Sequence, residues 1–118
     1  MFNLNDTSDQ VAVAVSGELT IPNAEVIKAG LLESLAHGKD VVMDLANVSE
    51  LDSAGTQLLF YAKRMAQARQ QGFHLVNHSP AVVEVFELYR LAPIFGDPMV
   101  LAAHSMGTGA SAGKGAGS

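Results

Sequence analysis

Apolar residues in the first third of the chain change from a period of two to a period of three or four. Residues 11–16 alternate valine with alanine or serine, which predicts a half-buried strand, punctuated by Gly17. Residues 23–36 predict a helix, because their apolar side chains recur three or four positions apart and share one face. That face comprises Ala24, Ile27, Leu31 and Leu35. We expect Asn23 to cap this helix and Gly38 to end it.

The middle of the chain repeats the same order of strand and helix. The segment 41–45 is almost continuously apolar and predicts a strand buried on both faces. A turn at residues 52–55 leads into a helix expected near 54–70 and ended by Gly72. The side of this helix that faces the sheet is expected to comprise Leu58, Ala62, Met65 and Ala66. Phe60 then falls on the opposite side, among Thr56, Lys63, Arg64 and Gln67.

The last third of the chain predicts one more strand and one more helix. Phe73, Leu75 and Val76 predict the strand, and Ser79-Pro80 marks the start of a helix near 80–90. The apolar face of this helix is expected to contain Val82, Phe86 and Tyr89. Residues 91–101 predict a loop that returns to a short last strand. Strands that alternate with helices predict an α/β fold: a mixed sheet of four to five strands covered by three to four helices.

Length and composition limit the chain to one folded domain, expected at residues 1–102. The sequence has 118 residues, of which 48% are apolar, enough for a packed core. Residues 103–118 hold five of the eleven glycines and predict a flexible Gly/Ala/Ser-rich tail. No apolar run approaches the roughly 20 residues of a membrane span. The start of the sequence lacks an export signal, so we expect a cytoplasmic protein without direct membrane insertion.

Charge and residue types argue against several classes of function. The formal charge is −5 and only seven residues are Lys or Arg, which disfavours nucleic-acid binding. There is no cysteine, and the four histidines show no ligand spacing, so neither a metal nor another cofactor is expected. Asp44 is interpreted as a strand-end carboxylate that accepts backbone N–H groups, with a minor role at a site as the alternative.

The turn Asp52-Ser53-Ala54-Gly55 carries the most information about function. Asp and Ser are standard capping residues, so a purely structural role in starting the helix is one interpretation. The other is a binding surface, because a helix start exposes N–H groups and the small Ala54 and Gly55 allow a partner's backbone to approach. Phe60, one turn further on, is either an aromatic anchor for a partner or an ordinary exposed apolar residue.

The order of these motifs resembles the STAS family, the domain of bacterial anti-sigma factor antagonists and of related sulfate-transporter tails. The resemblance runs from about Val11 to Leu101 and includes the strand 41–45, the Asp-Ser-Ala-Gly turn and the helix start at Ser79-Pro80. It implies a regulatory module in the control of transcription, with a protein partner that is an anti-sigma factor and serine kinase. It also implies partner switching by phosphorylation, with Ser53 as the acceptor. Together with the candidate anchor Phe60, the candidate partner-binding residues are Asp52, Ser53, Ala54, Gly55 and Thr56.

One position departs from the pattern of the switching members. The motif of those members resembles Asp-Ser-Ser-Gly or Asp-Ser-Thr-Gly, with two adjacent hydroxyl residues. This chain has Ala54 at the second of these positions. The Asp-hydroxyl-Ala-Gly pattern is similar to that of STAS adaptor subunits in phospholipid-transport and chemotaxis complexes. Such an adaptor, without a phosphorylation switch, is the alternative function.

An enzyme is the third class, and the sequence disfavours it. Ser53 with His74 or His78 and an Asp contains the residue types of a hydrolase triad. However, the Gly-x-Ser-x-Gly pattern of a nucleophile elbow is absent, and so is a phosphate-binding glycine loop. We therefore expect a binding protein and no catalysis.

Overall fold

The structure, a computed structural model, describes residues 1–91 and residue 93, which form four strands, three α-helices and one 3-10 turn. The strands are β1 (Phe2–Asp6), β2 (Gln10–Leu19), β3 (Asp40–Leu51) and β4 (Phe73–Val76). The helices are α1 (Ala24–Leu35), α2 (Ser53–Ala68) and α3 (Pro80–Tyr89), and the 3-10 turn spans Ile21–Asn23. The α/β class with a mixed sheet is confirmed. The expected last strand and the expected tail at 103–118 lie outside the described residues.

The four strands lie in the order β1-β2-β3-β4, with β1 antiparallel to β2 and the other pairs parallel. The sequence analysis missed β1. Its apolar Phe2 and Leu4 alternate with Asn3 and Asn5, a short pattern at the very start of the chain. The ring of Phe2 packs so closely on Gly30 of α1 that a Cβ there would lie 2.5 Å from it. This contact gives β1 its place beside the helix layer.

One face of the sheet forms the core with the helices. In β2 the predicted alternation is confirmed, because Val11, Val13 and Val15 are all buried. In β3, Val42 and Asp44 are half-buried, so the expectation of a strand buried on both faces is wrong. Gly17 does not end β2. It has a φ of +96° and lies at a change of register between β2 and β3, a bulge that lets the strand continue.

The N-terminal end of α1 differs from the prediction in its hydrogen bonds. Asn23 occupies the N-cap position, but its side chain donates to the carbonyl oxygen of Glu18 (2.8 Å) and does not cap the helix. At the other end the side-chain amide of Gln71 donates to the carbonyl oxygens of Leu35 (3.1 Å) and Lys39 (2.7 Å). The turn before β4 thus binds one carbonyl group at the end of α1 and one in the loop that follows it.

The side of α2 that faces the sheet is rotated from the predicted one. Leu59, Ala62 and Ala66 are buried, whereas Leu58 and Met65 are only half-buried. Both sets of residues have helical spacing, so the periodicity alone could not choose between them. The helix ends at Ala68, before the predicted end at residue 70, and Gln70 has a left-handed φ of 59°.

The last helix, α3, begins as predicted. The hydroxyl of Ser79 accepts from the backbone N–H of Val82 (3.3 Å), and Pro80 is the first helical residue. Val82 and Phe86 are buried against the core, but Tyr89 is 66% exposed and is not part of it. Among the described residues, no helix has both the length and the apolar character needed to cross a membrane.

Candidate functional site

Asp52 fixes the turn where β3 leads into α2. One carboxylate oxygen accepts from the backbone N–H of Gly55 (2.9 Å), which caps α2. The other accepts from the backbone N–H of Ile21 (2.9 Å), in the 3-10 turn that follows β2. A single side chain therefore holds the start of α2 to the end of β2. The interpretation of Asp52 as a helix cap is confirmed, and the bond to Ile21 adds a long-range role.

Gly55 is required by the fold itself. A Cβ on this residue would lie 2.1 Å from the carbonyl oxygen of Leu19, at the end of β2. The same carbonyl oxygen accepts from the backbone N–H of Asp52 (3.2 Å). The close backbone approach that the sequence assigned to a partner is therefore made within the chain, and Gly55 is buried.

The hydroxyl groups of Ser53 and Thr56 have different surroundings. Ser53 is exposed at the first position of α2. Thr56 is buried, and its hydroxyl donates to the carbonyl oxygen of Asp52 (2.9 Å). The expected place of Thr56 on an exposed polar face is therefore wrong. Of these two hydroxyl residues Ser53 is the exposed one, and Ala54 beside it is half-buried.

A groove of about 500 Å³ separates the first half of α2 from α3 and includes the Ser53 turn. Its lining residues are Leu51, Asp52, Ser53, Thr56, Gln57, Phe60, Glu84, Val85, Leu88, Tyr89 and Leu91. Phe60 is half-buried and packs against the core, so it forms a wall of the groove and is not an isolated aromatic on a polar face. The structure brings Asp52, Ser53, Thr56 and Phe60 together here. Ala54 and Gly55 do not line the groove.

The sequence analysis missed the contribution of α3 to this site. Leu88 and Tyr89 are 69% and 66% exposed, although both are large and apolar or aromatic. Two consecutive residues of this kind cannot both lie on the buried face of Val82 and Phe86, because neighbours on a helix are about 100° apart. That signal was present in the sequence.

The other polar candidates have structural roles. Asp44 accepts from the backbone N–H of Ala46 (2.9 Å) and from the side-chain amide of Asn77 (3.0 Å), which joins β3 to the end of β4. His78 is buried, with its ring edge-on to Phe86 at 5.3 Å. Within residues 1–91 and 93, no three His, Cys, Asp or Glu side chains form a group that could hold a metal ion.

Removal of the Asp52 carboxylate should cost the domain more stability at neutral pH than in acid. The N–H group of Gly55, followed by that of Ile21, lowers the pKa of Asp52 below its ordinary value of 3.8. Its stabilising effect is therefore complete above that value and is lost as the pH falls through the lower pKa of the folded state. For Asp52→Ala we expect a loss of about 1–2 kcal/mol at pH 7 in urea unfolding.

The control for this prediction is the exposed Asp9, since Asp9→Ala should leave the unfolding curve nearly unchanged. The difference between the wild type and Asp52→Ala should shrink when the measurement is repeated near pH 3. A difference that does not depend on pH would contradict the ionised cap.

Comparisons with known proteins agree with this architecture. A family model described as Mlab, STAS domain, matches residues 2–100. The chain is similar to the solved structure of the anti-sigma factor antagonist SpoIIAA in its unphosphorylated form, with 26% identity, a TM-score of 0.67, and coverage of 96% of this chain and 97% of that chain. Among curated proteins, none matches the sequence significantly.

Two further solved structures have the same fold at lower identity. One is the phosphorylated form of SpoIIAA, a cell fate determinant of Bacillus, with 24% identity, a TM-score of 0.63, and coverage of 94% of this chain and 99% of that chain. The other is an anti-sigma factor antagonist from Mycobacterium paratuberculosis, with 23% identity, a TM-score of 0.73, and coverage of 88% and 87%.

Proposed function

Because this chain belongs to the STAS domain family, we propose that it is a regulatory protein-binding module of the anti-sigma factor antagonist type. Its partner is an anti-sigma factor that is also a serine kinase, and binding takes place at the first turn of α2. The observation that carries the proposal is the exposed Ser53, on a turn fixed by Asp52 and beside the groove between α2 and α3. The similarity to SpoIIAA supports it.

Phosphorylation of Ser53 would weaken the binding of the partner without changing the fold. A phosphate brings nearly two negative charges, and at the start of a helix the dipole tolerates them. Ser53 is exposed, so the phosphate requires no rearrangement of the core. A partner that packs over the groove would have to strip water from this dianion beside the carboxylate of Asp52. That cost weakens the complex.

A Ser53→Asp variant should bind the partner kinase at least about tenfold more weakly, which corresponds to about 1.4 kcal/mol. Titration calorimetry against an anti-sigma factor kinase from the same genome measures this change. Ser8→Asp adds the same charge at an exposed residue outside the groove and is expected to retain full affinity. A Ser53→Asp protein with unchanged thermal unfolding and full affinity would refute the switch.

The site of modification is tested directly with the same kinase. After incubation with ATP, peptide mass spectrometry should find one phosphate, located on Ser53. The Ser53→Ala protein should take up none. A phosphate on another residue would move the switch away from this turn.

A second candidate is an adaptor subunit of a phospholipid-transport or chemotaxis complex that is not switched by phosphorylation. Ala54 favours it, because this residue removes the second hydroxyl of the motif. The description of the matching family model as Mlab, STAS domain, also supports it. No phosphate on Ser53, together with a stable complex with transporter or chemoreceptor subunits, would favour this function.

In both functions the protein is a binding module and not an enzyme. Esterase turnover that Ser53→Ala abolishes would overturn both.

A further inference from the structure

Large apolar and aromatic side chains make up much of the lining of the groove between α2 and α3. This apolar part of the lining includes Leu51, Phe60 and Val85, and it continues to the protein surface at Leu88 and Tyr89. The side chains of Leu88 and Tyr89 expose about two thirds of their area, 69% and 66%. Burial of such side chains in a complex stabilises it, because apolar area is removed from water. The groove is thus shaped for an apolar side chain of a partner.

In the part of the chain that the structure describes, the charged side chains that line the groove are acidic. Asp52 and Glu84 line the groove. A second depression of about 340 Å³ adjoins it, sharing Leu51, Asp52, Glu84 and Val85, and Glu50 lies there too. Among the described residues, no Lys or Arg lines either depression. Three carboxylates therefore border one side of an apolar groove.

We propose that the groove binds a partner segment in which apolar side chains are flanked by Lys or Arg. The apolar side chains enter between Phe60 and Leu88, and the basic ones pair with Glu84 and Glu50. The identity of the partner rests on the proposed function. The new element is the chemistry of the segment that the groove binds. Charge pairs at the edge of such a site speed association and select the partner.

The sign of the charges also argues against a second copy of this chain in the groove. In a twofold symmetric dimer the same surface faces itself, so the acidic residues Glu50, Asp52 and Glu84 of one copy would lie against the same acidic surface of the other. Like charges in that position oppose association. A basic segment of another protein has complementary charge.

Two synthetic helical peptides of about 15 residues test the proposal. They share Leu at positions i and i+4, and differ only in Arg or Glu at the flanking positions. Each is titrated into the full-length protein labelled with ¹⁵N, and the amide shifts are followed by NMR. We expect the Arg peptide to bind at least about tenfold more tightly at low salt. The preference should diminish as salt screens the charges. The shifts should concentrate in the first turns of α2 and in α3.

Matched variants separate the charge from the apolar contact. Glu84→Lys should weaken the Arg peptide about tenfold, whereas Glu25→Lys, an exposed glutamate of α1, should not. Leu88→Glu should abolish binding, whereas Val26→Glu, at a 56% exposed residue of α1, should not.

Four results would overturn the proposal: no binding of the Arg peptide, equal or tighter binding of the Glu peptide, shifts confined to α1 or the sheet, or shifts in the groove that depend on protein concentration without peptide. The last would show that a second copy occupies it. The test does not involve Ser53. If the Arg peptide binds but Ser53→Asp does not weaken binding of the partner kinase, the groove proposal stands and the phosphorylation switch is rejected.

Discussion

A Gly55→Ala variant is expected to lose about 3 kcal/mol of unfolding free energy, measured by urea denaturation at pH 7. The added methyl group would lie 2.1 Å from the carbonyl oxygen of Leu19 and 2.8 Å from its carbonyl carbon. Both atoms belong to the backbone at the end of β2, so no flexible side chain can move aside. Either α2 or the end of β2 must shift, and the hydrogen bonds of Asp52 to Ile21 and Gly55 would be strained with it.

Gly38→Ala is the matched control for this clash. Gly38 has a φ of +74°, but a Cβ there would meet nothing within 4 Å. Its substitution therefore reports the backbone strain of a left-handed residue alone, about 1–2 kcal/mol. If Gly55→Ala proves no more destabilising than Gly38→Ala, the close packing of α2 on β2 is not as described.

A Phe86→Ala variant is expected to lose about 4 kcal/mol of unfolding free energy, because a large buried side chain would leave a cavity. Phe86 is 1% exposed and its ring meets the buried His78 edge to face, with the ring centres 5.3 Å apart. Total stabilities of small domains are about 5–15 kcal/mol, so this loss would be a large part of the whole. Since α3 forms one wall of the groove, partner binding should fall as well.

Leu88→Ala, two residues further along the same helix, is the control for stability. Leu88 is 69% exposed, so its truncation should change the unfolding free energy by no more than about 0.5 kcal/mol. Equal losses for Phe86→Ala and Leu88→Ala would contradict the orientation of α3.

The main elements of the fold could be predicted because their apolar patterns are local. The valines at 11, 13 and 15, and the Ser79-Pro80 start of α3, specify a strand and a helix without reference to the rest of the chain. The rotation of α2 could not be predicted in this way. Both candidate faces have helical spacing, and the choice between them depends on contacts between residues far apart in sequence, of which that of Gly55 with Leu19 is one.

The candidate site was predicted in part. Asp52 and Ser53 form a recognisable helix start, and the structure places them as a cap and an exposed hydroxyl. The groove beside them requires the relative positions of α2 and α3, which sequence periodicity does not contain. Glu84 and Leu88 therefore received no role from the sequence, although both line the groove.

The two hydrogen bonds of the Asp52 carboxylate have a consequence for how proteins of this kind can diversify. Its two carboxylate oxygens are engaged by N–H groups of Ile21 and Gly55, so a change that re-tunes recognition at Asp52 would also loosen the scaffold. The exposed Glu50 and Glu84 do not share this role in holding the turn together. New partner preferences should therefore evolve through the periphery of the turn, while its centre stays fixed for reasons of folding.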